Sequence, residues 1–219
     1  MSLTIKAWGT KIILMAQRAA YIAQEETLLV ADLHLAKDAT FRSRGVPIPP
    51  GSSELTLSRL TQLVNLVTPQ RLVILGDLFH GREGNLAGEK ARFFDWRERH
   101  SKVECHWILG NHDRGIVGFE ALCCVQLEVE VAGLRLRHLP STDGKPTVCG
   151  HLHPGFRLLG PGRTSQRCPC FYQTESSLIL PAFGEFTGLL MVQPGPSDRV
   201  FVTAGSSVFE VPTLYSSRV

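Results

Sequence analysis

The stretch LVILGDLFHG, residues 72–81, decides how this chain is read. Leu72, Val73, Ile74 and Leu75 form an unbroken apolar run, the composition of a parallel strand buried on both faces. The run stops on Gly76-Asp77, and His80 follows three residues later. Burial gives no reason for a core strand to end on an acid and an imidazole, so the ends of the other strands become the places to look.

Working outward, strand-like runs alternate with helical patterns: TLLVAD (27–32), a helix across Glu54 to Val67, RLVILGD (71–77), a helix near Glu89 to Arg99, then VECHWILGN (103–111). That alternation predicts parallel strands with crossover helices. After Gly118 the runs shorten and are separated by turns: CVQLEVEVAGLRLRH, TVCG, FRLLG, SSLILPAF, GLLMV, RVFVTA and SVFEVP. This half reads as mainly antiparallel β structure. No Ser/Gly linker divides the halves, so we expect one α/β domain over 1–219, with two sheets packed face to face and helices outside. FRSRGVPIPPGSSE (41–54) and LGPGRTSQRCPC (159–170), rich in Gly, Pro and Arg, read as loops.

A chain of 219 residues is long enough for a well-buried core. Its net charge of +3 permits a polyanionic partner without demanding one. No apolar run approaches membrane length, and the first residues lack the pattern of an export signal, which together imply a cytoplasmic protein. Six cysteines lie in or beside apolar runs, the usage of reduced, buried thiols rather than disulfides. Cys168-Pro169-Cys170 is too short a motif to establish a metal site.

The strand ends share one chemistry. VADLHL supplies Asp32 and His34, ILGDLFH supplies Asp77 and His80, ILGNHD supplies Asn111 and His112, LRLRHLP supplies His138, and VCGHLHP supplies His151 and His153. Six of the eight histidines fall at these places among the metal-ligand motifs; His100 and His106 stand outside. The carboxyl ends of parallel strands share one sheet edge, so residues remote in sequence can converge there. Imidazoles mixed with carboxylates and an amide oxygen suit borderline divalent ions, Mn²⁺, Fe²⁺ or Zn²⁺, rather than Ca²⁺. The ligands are too many for one ion. Two ions roughly 3.5–4 Å apart can activate water and stabilise both the attacking and the leaving oxygen of a phosphate ester. Gly76, Gly110 and Gly150 precede ligands and allow tight bends and close approach.

In this order, DLH, GDLFH, GNHD, a lone histidine and GHLH resemble the metallophosphoesterase superfamily, whose calcineurin-like fold is a four-layer αββα sandwich. The resemblance implies one metal held by Asp32, His34 and His153, a second by Asn111, His138 and His151, and Asp77 bridging the two. It places His112 beside the scissile phosphate, and implies attack by a metal-bridging hydroxide. Mn²⁺ is the first choice of ion, with Fe²⁺, Zn²⁺ and Mg²⁺ as alternatives.

GDLFH, with His80 where many phosphoprotein phosphatases have a second acid, is similar to the SbcD-like DNA-repair nucleases, in which this histidine takes part in catalysis. ADLHLAKDATFRSRGVPIPPG and CPCFYQTESSLILPAFGEFTG extend the resemblance to the small ligase-associated DNA-damage-response endonucleases. That resemblance implies DNA as substrate, with a DNA ligase and a helicase as functional partners. Lys37, Arg42, Arg44 and Arg114 lie close to the ligands in sequence and are candidates for holding phosphates. Two rivals remain at this level. One is a small-molecule phosphodiesterase or nucleotide or lipid-precursor pyrophosphatase on the same centre. The other is a repair-complex scaffold that keeps a vestigial site.

Overall fold

The structure is a computed structural model and describes residues 1–81, 86–160, 162 and 164–212. Two sheets carry it. The first contains β1 (Ser2–Ala7), β2 (Thr10–Met15), β3 (Ala19–Ile22), β4 (Thr27–Val30), β5 (Arg71–Leu75), β6 (Glu104–Ile108) and β7 (Cys124–Gln126), side by side in chain order. β1 to β4 pair antiparallel, and β4 to β7 pair parallel. The parallel steps need crossovers. α1 (Lys37–Ser43) and α2 (Ser52–Val67) join β4 to β5, and α3 (Leu86–Arg99) lies between β5 and β6.

The second sheet is built from β8 (Glu128–Val131), β9 (Leu134–Arg137), β10 (Thr147–Cys149), β11 (Pro154–Leu159), β12 (Ser165–Gln173), β13 (Ser177–Ile179), β14 (Leu190–Met191), β15 (Arg199–Ala204) and β16 (Ser207–Glu210). Its order is β14-β11-β12-β13-β10-β9-β8, with β15 also on β12 and β16 on β15. The sheet is mixed, because β10 pairs parallel with both β9 and β13, and β11 with β14.

The apolar run that opened the reading is buried on both faces. Leu72 and Ile74, with Leu28, Val30 and Trp107, pack against Leu57, Leu60, Leu63, Phe93 and Trp96 of the helices. Val73 and Leu75, with Leu29, Ala31 and Ile108, meet Leu134, Leu136, Val148, Phe171 and Leu178 of the second sheet. Alternate residues thus serve two different cores, which is why β4 and β5 show no polar alternation. α2 buries Ser53, Thr56, Leu57, Leu60, Leu63 and Val64, a stripe at three- and four-residue spacing. A smaller cluster of Phe156, Cys168, Cys170, Val200 and Val202 lies on the opposite face of β12 and β15 from Phe171 and Phe201.

The two-sheet α/β architecture with helical cover agrees with the sequence reading; two local expectations do not. Residues 41–54 are only partly loop, because α1 runs to Ser43 and α2 starts at Ser52. Residues 159–170 are largely a hairpin, with Leu159 opposite Ser165 and Gly155 opposite Pro169. The hairpin's outer end is exposed on both faces, so it lacks the apolar alternation that marks strands elsewhere. Pro169 ends the pairing with β11, and β15 takes over from Cys170, so its missing N–H falls where the ladder changes partner.

Candidate metal centre

Pairing between β4 and β5 does not stop at their ends. Asp32 N–H donates to the Gly76 carbonyl (3.1 Å), His34 N–H to Asp77 (2.9 Å), Leu35 N–H to Leu78 (2.9 Å) and His80 N–H to Leu35 (2.8 Å). This ladder fixes the Asp32–His34 and Asp77–His80 turns against each other. The second sheet brings the rest: His138 follows β9, and His151 and His153 follow β10. His151 N–H donates to Asp32 Oδ2 (2.9 Å), tying the two sheets together at the site.

Two groups that could hold a metal ion result, Asp32 with His34 and His153, and Asp77 with His138 and His151. In the first, His34 Nε2 lies 3.1 Å from His153 Nε2, and His153 Nε2 lies 3.5 Å from Asp32 Oδ1. In the second, His138 Nε2 lies 3.0 Å from His151 Nδ1, 3.0 Å from Asn111 Oδ1 and 3.6 Å from Asp77 Oδ2. Asp77 Oδ2 is also 4.0 Å from His34 Nε2, which puts this carboxylate between the groups. Ligand atoms each about 2.1 Å from one ion stand about 3.0–3.5 Å from each other.

The residues fit divalent cations on two further counts. His138 Nδ1–H donates to the Leu75 carbonyl (3.0 Å), which leaves Nε2 as the nitrogen turned toward the oxygens of Asn111 and Asp77. Lone pairs facing one another want a cation between them, and the bond at the opposite nitrogen sets the required tautomer. Asp32 and Asp77 are buried, and their ion-pair partners among the described residues are imidazoles. Burial, then Lys37 and the neighbouring rings, holds His34 far below the usual histidine range. Burial and His138 lower His151 as well, against the pull of Asp32 and Asp77. Two buried carboxylates set among imidazoles, in two converging groups, form a donor set suited to divalent ions.

The backbone is strained in the same place. Asp32, His34, Asp77, His151 and His153 all have positive φ, from 47° to 72°. Such conformations are uncommon in residues with a Cβ and cluster where function requires them. Close approach completes the arrangement at Gly76, where a Cβ would collide with the His138 ring, and at Gly110, where it would collide with Asp77.

His112 N–H donates to Asp77 Oδ1 (2.9 Å), and its ring Nδ1–H to the His80 carbonyl (2.7 Å). The Nε2 of His112 is therefore the nitrogen left for a reactant. His80 stacks on His112, with ring centroids 5.1 Å apart and an 18° interplanar angle, and both rings lie 5.2 Å from His34.

Asp113, to which the sequence reading gave no role although it completes GNHD, is fully buried. It accepts from Gly110 N–H (2.9 Å), Trp107 Nε1–H (3.1 Å) and Phe79 N–H (3.2 Å), clamping the Asn111–His112 turn to the Asp77–His80 turn. Burial nonetheless pushes its carboxyl up to about 6. Replacing Asp113 by Asn turns one acceptor oxygen into an NH₂ that faces N–H donors. Urea denaturation of D113N is expected to show a loss of about 1–3 kcal/mol.

The four candidate cations differ. Lys37 is buried at the start of α1, close enough to Asp32 and Asp77 for their charge to act on it, while burial lowers its pKa. Arg42 pairs with Asp38 (3.0 Å), which also accepts from Gly51 N–H (3.0 Å), and so helps hold its own loop. Arg44 and Arg114 are exposed. His100 bonds Thr61 Oγ1 (3.2 Å), and His106 is engaged by Glu104 and Gln126, both outside the site as expected.

Residues 26–166, which span both candidate metal groups, match the calcineurin-like phosphoesterase family. The chain belongs to this family. As a calcineurin-like phosphoesterase it is a hydrolase of phosphate esters, and its two candidate metal groups are what such a dimetal enzyme requires. Among solved structures it is similar to the Pseudomonas putida nuclease MPE, at 32% identity and a TM-score of 0.81, covering 96% of this chain and 100% of that one. It also matches Yfce, a phosphoesterase from E. coli, at 17% identity and a TM-score of 0.43, covering 84% of this chain and 97% of that one. No curated protein matches it. No helix among the described residues is long and apolar enough to cross a membrane.

Proposed function

We propose that this phosphoesterase is a DNA nuclease that uses two divalent ions, Mn²⁺ by preference. Asp32, His34 and His153 would hold one ion, Asn111, His138 and His151 the other, and Asp77 would bridge them. The observation that carries the diesterase reading is the stacked pair of imidazoles, His112 and His80, beside two buried acids. A phosphodiester has one negative charge and a leaving oxygen that needs a proton, so two imidazoles suit it better than an imidazole and a carboxylate. The likeness to the P. putida nuclease supports a nucleic-acid substrate.

When bound, the ions would neutralise phosphate oxygens and lower the pKa of a water at the centre. The protein's own residues would do the rest. His112, anchored through Nδ1 and through its backbone N–H, presents Nε2 to stabilise charge on the phosphate or to protonate the leaving oxygen. His80 contributes a second imidazole in the same face of the site. Lys37, Arg44 and Arg114, with Arg42 more committed to Asp38, would hold backbone phosphates without reading bases. Motif resemblance extends the proposal to endonucleolytic cleavage in DNA repair within the cytoplasm, alongside a ligase and a helicase.

The test is hydrolysis of bis-p-nitrophenyl phosphate beside labelled single- and double-stranded DNA, with Mn²⁺. Cleavage of both, with DNA affinity falling steeply as salt rises, is the expected result. Cleavage of the small diester alone would transfer the reading to a small-molecule phosphodiesterase.

A further inference from the structure

Away from the metal centre, the edge of the first sheet holds a pair of thiols that hydrolysis does not use. Cys105 is the second residue of β6, and Cys123 immediately precedes β7. The register His106 opposite Cys124 places Cys105 and Cys123 directly across the parallel pair. Neighbouring strands lie about 4.8 Å apart, within the Cα separations that a disulfide spans. Both side chains are buried on the same face, and their sulfurs are 3.1 Å apart in the free state. Both line a surface depression of about 460 Å³ that Glu104, Glu120 and Cys124 also border.

We propose that Cys105 and Cys123 form a redox-reactive dithiol that peroxides convert to a reversible disulfide. The segment between them carries Asn111, His112 and Asp113, so the bond would close a loop around the whole GNHD turn. The proposal does not depend on the substrate assigned above.

Arg97 supports it. Its guanidinium is buried below the pair, bonded to the carbonyls of Leu122 (3.3 Å), His100 (2.9 Å) and Val103 (3.1 Å). The hydrogen bond with Cys105 lowers the Cys123 thiol, and Arg97 adds to that pull against burial, whereas Cys105 is raised. Cys123, which follows Leu122, whose carbonyl binds the buried Arg97 guanidinium, is taken as the attacking sulfur. Its thiolate displaces hydroxide from hydrogen peroxide, breaking the O–O bond and giving a sulfenic acid. Cys105 sulfur then attacks that sulfur, the S–OH bond breaks, and water leaves with the Cys105 proton. Two thiols are oxidised and one peroxide is reduced to two waters.

The experiment treats the full-length, metal-loaded protein with hydrogen peroxide, then maps its peptides under non-reducing conditions and records thermal melting. We expect one intramolecular Cys105–Cys123 link with the loss of two hydrogens, reversed by dithiothreitol. The oxidised protein should melt about 4–10 °C higher. C123A and C105A should each abolish link and shift, whereas C124A should retain both. Either a persistent pair of free thiols at Cys105 and Cys123, or a link that forms through Cys124 instead, would overturn the proposal. Alkylation of the two thiols in the folded, reduced protein checks that both variants report on an accessible pair.

Discussion

Replacing Asp77 by Asn is expected to reduce phosphodiester hydrolysis by about 10³-fold or more, because the carboxylate proposed to bridge the two ions would be lost. The substitution should spare the fold. Asp77 Oδ1 accepts the His112 N–H, and an amide oxygen can accept it equally well. Metal bound per chain, measured by plasma mass spectrometry, should fall below two in the variant. The metal-free variant should melt no lower than metal-free wild type, since a buried charge has been removed. A variant with wild-type metal content and rate would remove Asp77 from the centre. The same variant separates enzyme from scaffold, because a scaffold would keep its cellular role.

His112→Asn is expected to lower the rate about 10²–10⁴-fold with metal content unchanged, the range for loss of a general acid or charge-stabilising imidazole. His80→Asn gives the sharper comparison. His112 is anchored to the main-chain carbonyl of His80, not to its ring, so changing the ring leaves that anchor in place. His80 Nδ1 also lies 3.4 Å from His34 Nδ1, so a large rate loss in H80N with metal content unchanged would report on the His80 imidazole at the phosphate. The rate against p-nitrophenyl phosphate, a monoester with more negative charge, should fall less than the rate against the diester. Equal rates in H80N and wild type would restrict His80 to a structural role.

The candidate metal-binding residues were legible because each follows an apolar strand: the parallel strands β4 to β6 bring their ends to one edge of the first sheet, the parallel pair β9 and β10 do so in the second, and only the packing of the sheets joins the two edges. The β4 to β6 half was legible for the same reason. Other parts were hidden by their physics. β1 to β3, to which the sequence reading assigned no element, carry residues such as Lys6, Thr10 and Lys11 within short alternations that turns interrupt. β12 begins with Ser165, Gln166 and Arg167, exposed residues whose strand conformation comes from pairing with β11 and not from burial. Asp113 was visible as a letter of GNHD, but its clamp depends on Phe79 and Trp107, which only the folded chain brings beside it. Likewise, sequence adjacency put Arg42 among the phosphate-holding cations, whereas the helical i,i+4 spacing gives it Asp38 as a partner.

The most direct test of a two-ion centre is a titration. Metal-free protein would receive Mn²⁺ in fractional steps while bound metal and bis-p-nitrophenyl phosphate hydrolysis are followed together. Activity that rises only as the second equivalent per chain binds is the predicted result. Full activity at one equivalent, or none at two, would contradict the dimetal assignment.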